Sequence, residues 1–340
     1  MNTVGLLQFF ILDILSFILK HDWKDHHLFA YRRFYVKNNI LVRFFILITL
    51  SILFTPSLLA TSKIPVFVSI LPQKYFVKKI GGTFVDANVM VSPGASPHTF
   101  EPKPSQMVAL TKSKLYFAIG VEFERIWLEK FAATNPEMVI VHMDQGIEKI
   151  PMSTFQHGDE ADTHSEGGDH QDQENHEHGA LDPHIWLSPS LVKQQAKIIL
   201  EVLQDTDPLH QKEYQVNYQR LIDEIADLDG DLKNTFQGKE GLQFIVFHPS
   251  WGYFARDYHL KQIPIEIEGK NPKPAQLKEL IKHAREYDIR VIFVQPQFSQ
   301  RSAGLIAKEI KGEVIKVDPL VEDWGTNMKN VAASFKKALK

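Results

Sequence analysis

Four stretches of this chain place one metal-capable side chain just past the end of an apolar run. VMVSPGASPHTFEP carries His98 in a proline-bounded loop, and ALDPHIWLSP carries His184 ahead of a helical pattern. FIVFHPSWGYFARDY carries His248 at the mouth of a strand-like run, and EVIKVDPL ends on Asp318. Three neutral imidazoles and one carboxylate make a closed N3O donor set, which suits Zn²⁺. Taken singly, each has an ordinary explanation. His142 reads as part of a strand, and His210, His259 and His283 lie on or beside helices where a solvated face accounts for them. Asp318 before Pro319 is also turn chemistry. The four stand out because they occupy the same position in a repeated pattern of elements.

A fifth stretch is denser. HGDEADTHSEGGDHQDQENHEHG, residues 157–179, holds five histidines (His157, His164, His170, His176 and His178) and eight carboxylates. It has no aliphatic side chain larger than alanine, so nothing repays the entropy of ordering it. The expectation is a disordered loop whose side chains bind Zn²⁺ weakly and interchangeably, as an accessory to a site built elsewhere. The alternative is a solvated acidic loop without a role.

The elements that must position the four residues follow from the periodicity. PVFVSIL, DANVMV, KLYFAIG and MVIVHMD read as strands, separated by helical KYFVKKIGG, PSQMVALTKS and EFERIWLEKFAAT. SPSLVKQQAKIILEVLQDTDP reads as a helix capped by Ser188 or Ser190, and a helical pattern of unusual length runs from His210 to Phe236. The alternation then restarts with LQFIVFHPS, LKQIPIEIEG, DIRVIFVQPQ and EVIKVDPL as strands between helices. The expected fold is α/β, two lobes each with a parallel sheet flanked by helices, joined by one long backbone helix. The expected division is 63–209 for the N-terminal lobe with its His-rich loop, 210–236 for the linking helix and 237–340 for the C-terminal lobe. A ligand then sits at strand ends between the lobes.

Composition narrows the function. The formal net charge is −3, so no basic excess argues for nucleic acid, and cysteine is absent, which removes disulfides, thiolate catalysis and sulfur ligation. FFILITLSILF (residues 44–54) follows basic residues and precedes LLATS, the pattern of a secretory signal peptide over about 36–62. Residues 1–35 fit that pattern poorly and are expected to be an extension upstream of the true start. No cysteine follows the apolar run, so a free periplasmic protein of Gram-negative type is expected rather than a lipoprotein.

In their order along the chain, SPGASPHTFEP, DPHIWLSP, FHPSWGYFARDY, VFVQPQFS and VDPL resemble the metal-binding solute receptors of bacterial ABC importers, the cluster 9 group with zinc and manganese branches. The resemblance covers residues 63–340. It implies two α/β lobes bridged by a long helix, with His98, His184, His248 and Asp318 as ligands. Histidine at 248, where manganese-type members have glutamate, and the His-rich insertion both point to the zinc branch. The run IEIEGKNPKPAQL departs from the more acidic run expected there. The implied function is high-affinity capture of Zn²⁺ in the periplasm by a monomer that is not an enzyme. Delivery would be to a membrane permease and, through it, an ATPase, with a periplasmic metallochaperone as a further partner. The alternatives are a manganese or iron receptor of the same family, a secreted zinc hydrolase, and a metal-dependent adhesin. No HExxH-type motif supports the hydrolase.

Overall fold

The computed structural model describes residues 63–155, 180–266, 270, 272–298 and 300–339. The signal-peptide segment and the tract with His157, His164, His170, His176 and His178 lie outside the described residues.

Short, almost wholly apolar runs cannot sit at a surface, and here they become strands buried on both faces. They are β1 (Ile64–Val68), β3 (Leu115–Ala118), β5 (Gln243–Val246) and β7 (Val291–Val294). Strands with exposed positions flank them: β2 (Val85–Val89) and β4 (Val139–His142) in one sheet, and β8 (Glu313–Lys316) in the other, opposite β6 (Lys261–Pro264). All pairing is parallel, in the orders β2-β1-β3-β4 and β6-β5-β7-β8, so the two sheets share one topology. The register pairs Val66 with Leu115 and Ile245 with Ile292. In each sheet the connections leave the two central strands in opposite senses, and such switch points open a crevice at the carboxyl ends.

The helices are α1 (Leu71–Gly81), α2 (Pro104–Leu110), α3 (Glu124–Thr134), α4 (Pro189–Thr206), α5 (Gln211–Phe236), α6 (Gly252–Asp257), α7 (Pro274–Glu286), α8 (Gln300–Glu309) and α9 (Trp324–Ala338). Proline occupies the first turn of α1, α2, α4 and α7, where its missing N–H costs nothing. Ser188 caps α4 by accepting the Leu191 N–H at 3.3 Å. The long α5 buries Tyr214, Leu221, Ile225, Leu228, Leu232 and Phe236, one stripe at helical spacing, and packs that stripe on α1, α4 and α9.

α9 also links α1 of the first lobe to the second sheet. Trp324 lies edge-on to Phe76 of α1 at 5.3 Å, while Phe335 packs 4.5 Å from Phe244 and 4.3 Å from Phe293. One core therefore runs from β1 and β3 through α5 and α9 to one face of the second sheet. The opposite face of that sheet, with Ile245, Ile263, Ile292 and Val294, forms a second core under α7 and α8. The alternation of β5 accounts for this: Phe244 and Val246 face one core, Ile245 and Phe247 the other. No helix among the described residues is long and apolar enough to cross a membrane.

Candidate metal centre

His248 follows β5 by one residue beyond Phe247, and its backbone is clipped to the neighbouring strand end by one amide. Gln295, just past β7, accepts the His248 N–H at 3.3 Å and donates to the His248 carbonyl at 2.7 Å and to Ser250 Oγ at 2.9 Å. Adjacent parallel strands thus fix the start of the β5–α6 loop. His184 sits at the mouth of a 3₁₀ turn (Ile185–Leu187) that leads into α4. It is steadied by Asp182, whose Oδ1 accepts the His184 N–H at 2.8 Å. His98 lies in the loop between β2 and α2, where Thr99 N–H closes on the Ser96 carbonyl at 3.3 Å.

These three loops converge. One ligand atom of each of His98, His184 and His248 lies within 4.8 Å of the other two. The Nε2 atoms of His184 and His248 are 3.3 Å apart, and the His98 ring centroid is 4.5 Å from that of His248. His184 and His248 are buried, with side chains 5% and 6% exposed, while His98 is 23% exposed. Val121, Trp186, Phe298, Pro319 and Leu320 wall the pocket, with Phe298 stacked on His248 at 4.9 Å.

Each imidazole has its own carboxylate on Nδ1. Asp182 Oδ1 is 2.7 Å from His184 Nδ1, Glu266 Oε1 is 2.5 Å from His248 Nδ1, and Glu122 Oε2 is 2.9 Å from His98 Nδ1. An ionised carboxylate only accepts, so the hydrogen bonds of Asp182 and Glu266 assign the ring protons of His184 and His248 to Nδ1 and leave their Nε2 lone pairs free, while Glu122 stands beside His98 as an ion-pair partner. Burial, aided by the charges of His184 and His98 and opposed by Glu266, brings the His248 pKa down to about 4, so this ring is neutral at physiological pH. Burial pulls Glu122 upward, but pairing with His98 outweighs it and holds the carboxyl at about 2.

Two lone pairs facing each other at 3.3 Å repel unless a cation lies between them. Two nitrogens bound to tetrahedral Zn²⁺ at 2.0–2.1 Å stand roughly 3.3–3.4 Å apart. The donor set and its spacing therefore suit that ion.

Asp318 is not part of the three-histidine group. Its Oδ1 accepts the Leu320 N–H at 2.9 Å and the Gln297 amide at 3.1 Å, so in this structure it organises the turn after β8. His142, His210, His259 and His283 also lie outside the group. His210 pairs with Asp207 at 2.6 Å, and His283 with Gln243 at 2.7 Å.

Sequence reasoning did not single out the three carboxylates. Asp182 stands in the quoted DPHIWLSP, and Glu266 stands in IEIEG, the run that departed from expectation. An isolated acid at the end of a buried strand was the available signal for Glu266. Glu122 had none, because only the fold brings it to His98.

The model of the family described as zinc-uptake complex component A, periplasmic (ZnuA), matches residues 66–338. A relative from Bacillus subtilis (strain 168), named high-affinity zinc uptake system protein ZnuA, is 30% identical over 259 residues, covering 74% of this chain and 78% of the relative. A crystal structure of ZnuA superimposes with a TM-score of 0.73 at 40% identity, over 82% of this chain and 100% of the other. A ZnuA deletion mutant with zinc bound matches with the same score and identity, over 82% of this chain and 99% of the other.

Proposed function

The chain belongs to the periplasmic zinc-uptake component A family, and from that premise we propose that it is a high-affinity Zn²⁺ receptor feeding an ABC importer. The observation that carries this reading is the trio His98, His184 and His248, each with a carboxylate on Nδ1 and two Nε2 atoms at zinc spacing. Neutral imidazoles favour Zn²⁺ over Mn²⁺, which prefers added carboxylate oxygen. The ligand set is then the three histidines, with Asp318 as the fourth candidate through Oδ2, since its Oδ1 accepts from Leu320 and Gln297.

The protein carries its ion as cargo and transforms nothing, in keeping with a family of solute-binding receptors. Its partners are a membrane permease and, through it, the ATPase that drives uptake. It works in the periplasm as a free, unlipidated monomer, with the division 63–209, 210–236 and 237–340 as its functional anatomy. His157, His164, His170, His176 and His178 supply weak accessory binding. Competitive titration of metal-free protein with Zn²⁺ and Mn²⁺ tests the reading. One tight Zn²⁺ equivalent that depends on His98 and His248 supports it, and a preference for Mn²⁺ or independence from those histidines overturns it.

A further inference from the structure

The His98 loop has little holding it from within. Beyond the Thr99–Ser96 bond it has Ala95 N–H on the Ser92 carbonyl at 3.1 Å and His98 N–H on Ser96 Oγ at 3.3 Å. Its placement comes from the facing loop between β3 and α3, residues 119–123. That loop touches it three times: Glu122 on His98 Nδ1 at 2.9 Å, Phe123 N–H on the Pro97 carbonyl at 3.4 Å, and Phe123 edge-on to Phe100 at 5.2 Å. Val121 of the same loop walls the metal pocket.

What closes the 119–123 loop is Glu124. Its carboxyl group turns back from the first turn of α3 to accept the Ile119 N–H at 2.9 Å and the Gly120 N–H at 2.7 Å. The Glu124 N–H in turn bonds the Val121 carbonyl at 3.1 Å. Gly120 holds a φ of +86°, a conformation glycine adopts without strain, and a Cβ there would meet Lys149. Glu124 is 3% exposed and touches none of the three histidines, so the proposed metal site does not use it directly.

We propose that Glu124 is a positioning residue for metal capture: it holds the 119–123 loop shut so that Glu122 and Phe123 seat His98 over the fixed pair His184 and His248. This rests on the reading of His98 as a ligand. The ionised Glu124 offers an acceptor oxygen to each N–H, whereas a glutamine at 124 has one acceptor and points an amide N–H at a backbone N–H, so the loop opens and His98 loses its seat.

The test uses the full mature chain and Zn²⁺ alone, comparing wild type with Glu124→Gln, Glu122→Gln and the double variant. Competitive chelator titration should show E124Q binding Zn²⁺ about 10-fold more weakly, within the range for a lost outer partner. The double variant should lose no more than the weaker single variant, since both act through one loop. Ring ¹⁵N shifts should change for His98 and not for His184 or His248. Unchanged affinity, full additivity, or equal shifts at all three rings overturns the proposal. If E124Q does not fold, Glu124→Asp, which keeps the carboxyl group but shortens its reach, is read in the same way. Failure of wild type to bind Zn²⁺ tightly, or indifference to His98→Ala, would instead count against the ligand assignment itself.

Discussion

His184 Nε2 faces His248 Nε2 at 3.3 Å, although α4 and α5 separate the two residues along the chain. The contact pairs two acceptors because Asp182 and Glu266 hold both protons on Nδ1. Replacing His98, His184 or His248 by alanine should therefore cost more than about 100-fold in Zn²⁺ affinity, beyond the 10–100-fold typical of an outer partner. Asp318→Ala should cost under about 10-fold, since its Oδ1 serves Leu320 and Gln297. Calorimetry against a competing chelator separates the two classes, and equal losses at Asp318 and the histidines would make Asp318 a true ligand.

Glu266→Gln should weaken Zn²⁺ about 10–100-fold while leaving the fold intact. The amide can no longer demand a proton on His248 Nδ1, so part of the population carries it on Nε2, where metal binds. The readout is the ¹⁵N pattern of the His248 ring in the metal-free protein, which should move from a single tautomer toward a mixture.

Burial raises the Glu124 carboxyl from its ordinary 4.5 to about 7, with Asp144 adding to the shift and Ser69 and the Ile119 and Gly120 N–H groups opposing it. The folded state thus holds this proton more tightly than the unfolded chain. Its contribution is complete below about pH 4.5 and is lost as pH rises toward 7. Scanning calorimetry of metal-free protein should show wild type losing stability relative to E124Q across that window, on the order of 2–4 °C in Tm per kcal/mol. Parallel pH profiles for the two proteins would remove Glu124 as the cause.

Trp186 Nε1 donates to the Pro319 carbonyl at 2.8 Å, and Trp324 Nε1 donates to the Trp186 carbonyl at 2.7 Å. Both indoles are buried, so Trp186→Phe strands the Pro319 carbonyl and should cost roughly 1–3 kcal/mol. Denaturant unfolding measures it. The loss should be larger than for a phenylalanine exchange at the half-buried Trp127.

Removing residues 159–177 should abolish weak Zn²⁺ equivalents and leave one tight site. Retention of those weak equivalents, or loss of the tight one, would reassign the histidines of that tract.

Much of the fold was legible from periodicity alone, because fully apolar strands alternating with amphipathic runs admit few arrangements other than parallel sheets. The cap of α4, narrowed to Ser188 or Ser190, and the long α5 were visible from the same kind of local pattern. Three of the four expected ligands meet, since each stands at the carboxyl end of a strand or at a helix entrance. The carboxylates behind them were not legible: Glu122 and Glu266 reach their partners only through crossover connections that no local pattern encodes. Asp318 stands after β8 as a ligand would, with its Oδ1 engaged by the proline-containing turn. The reach of α9 from α1 to the second sheet was also hidden, because an amphipathic stripe does not say how many partners it covers.

The core shared through α5 and α9 sets how the cargo can leave. Separating the sheets would expose packed side chains such as Phe335, Phe244 and Trp324 to water, at roughly 1.5–3 kcal/mol for each. Zn–N bonds tolerate only about 0.2 Å of error. For the proposed receptor, a shift of about an ångström at the His98 rim would exceed that tolerance without parting the sheets. The tolerance that lets this protein choose its ion is the same one a partner must exceed to take it.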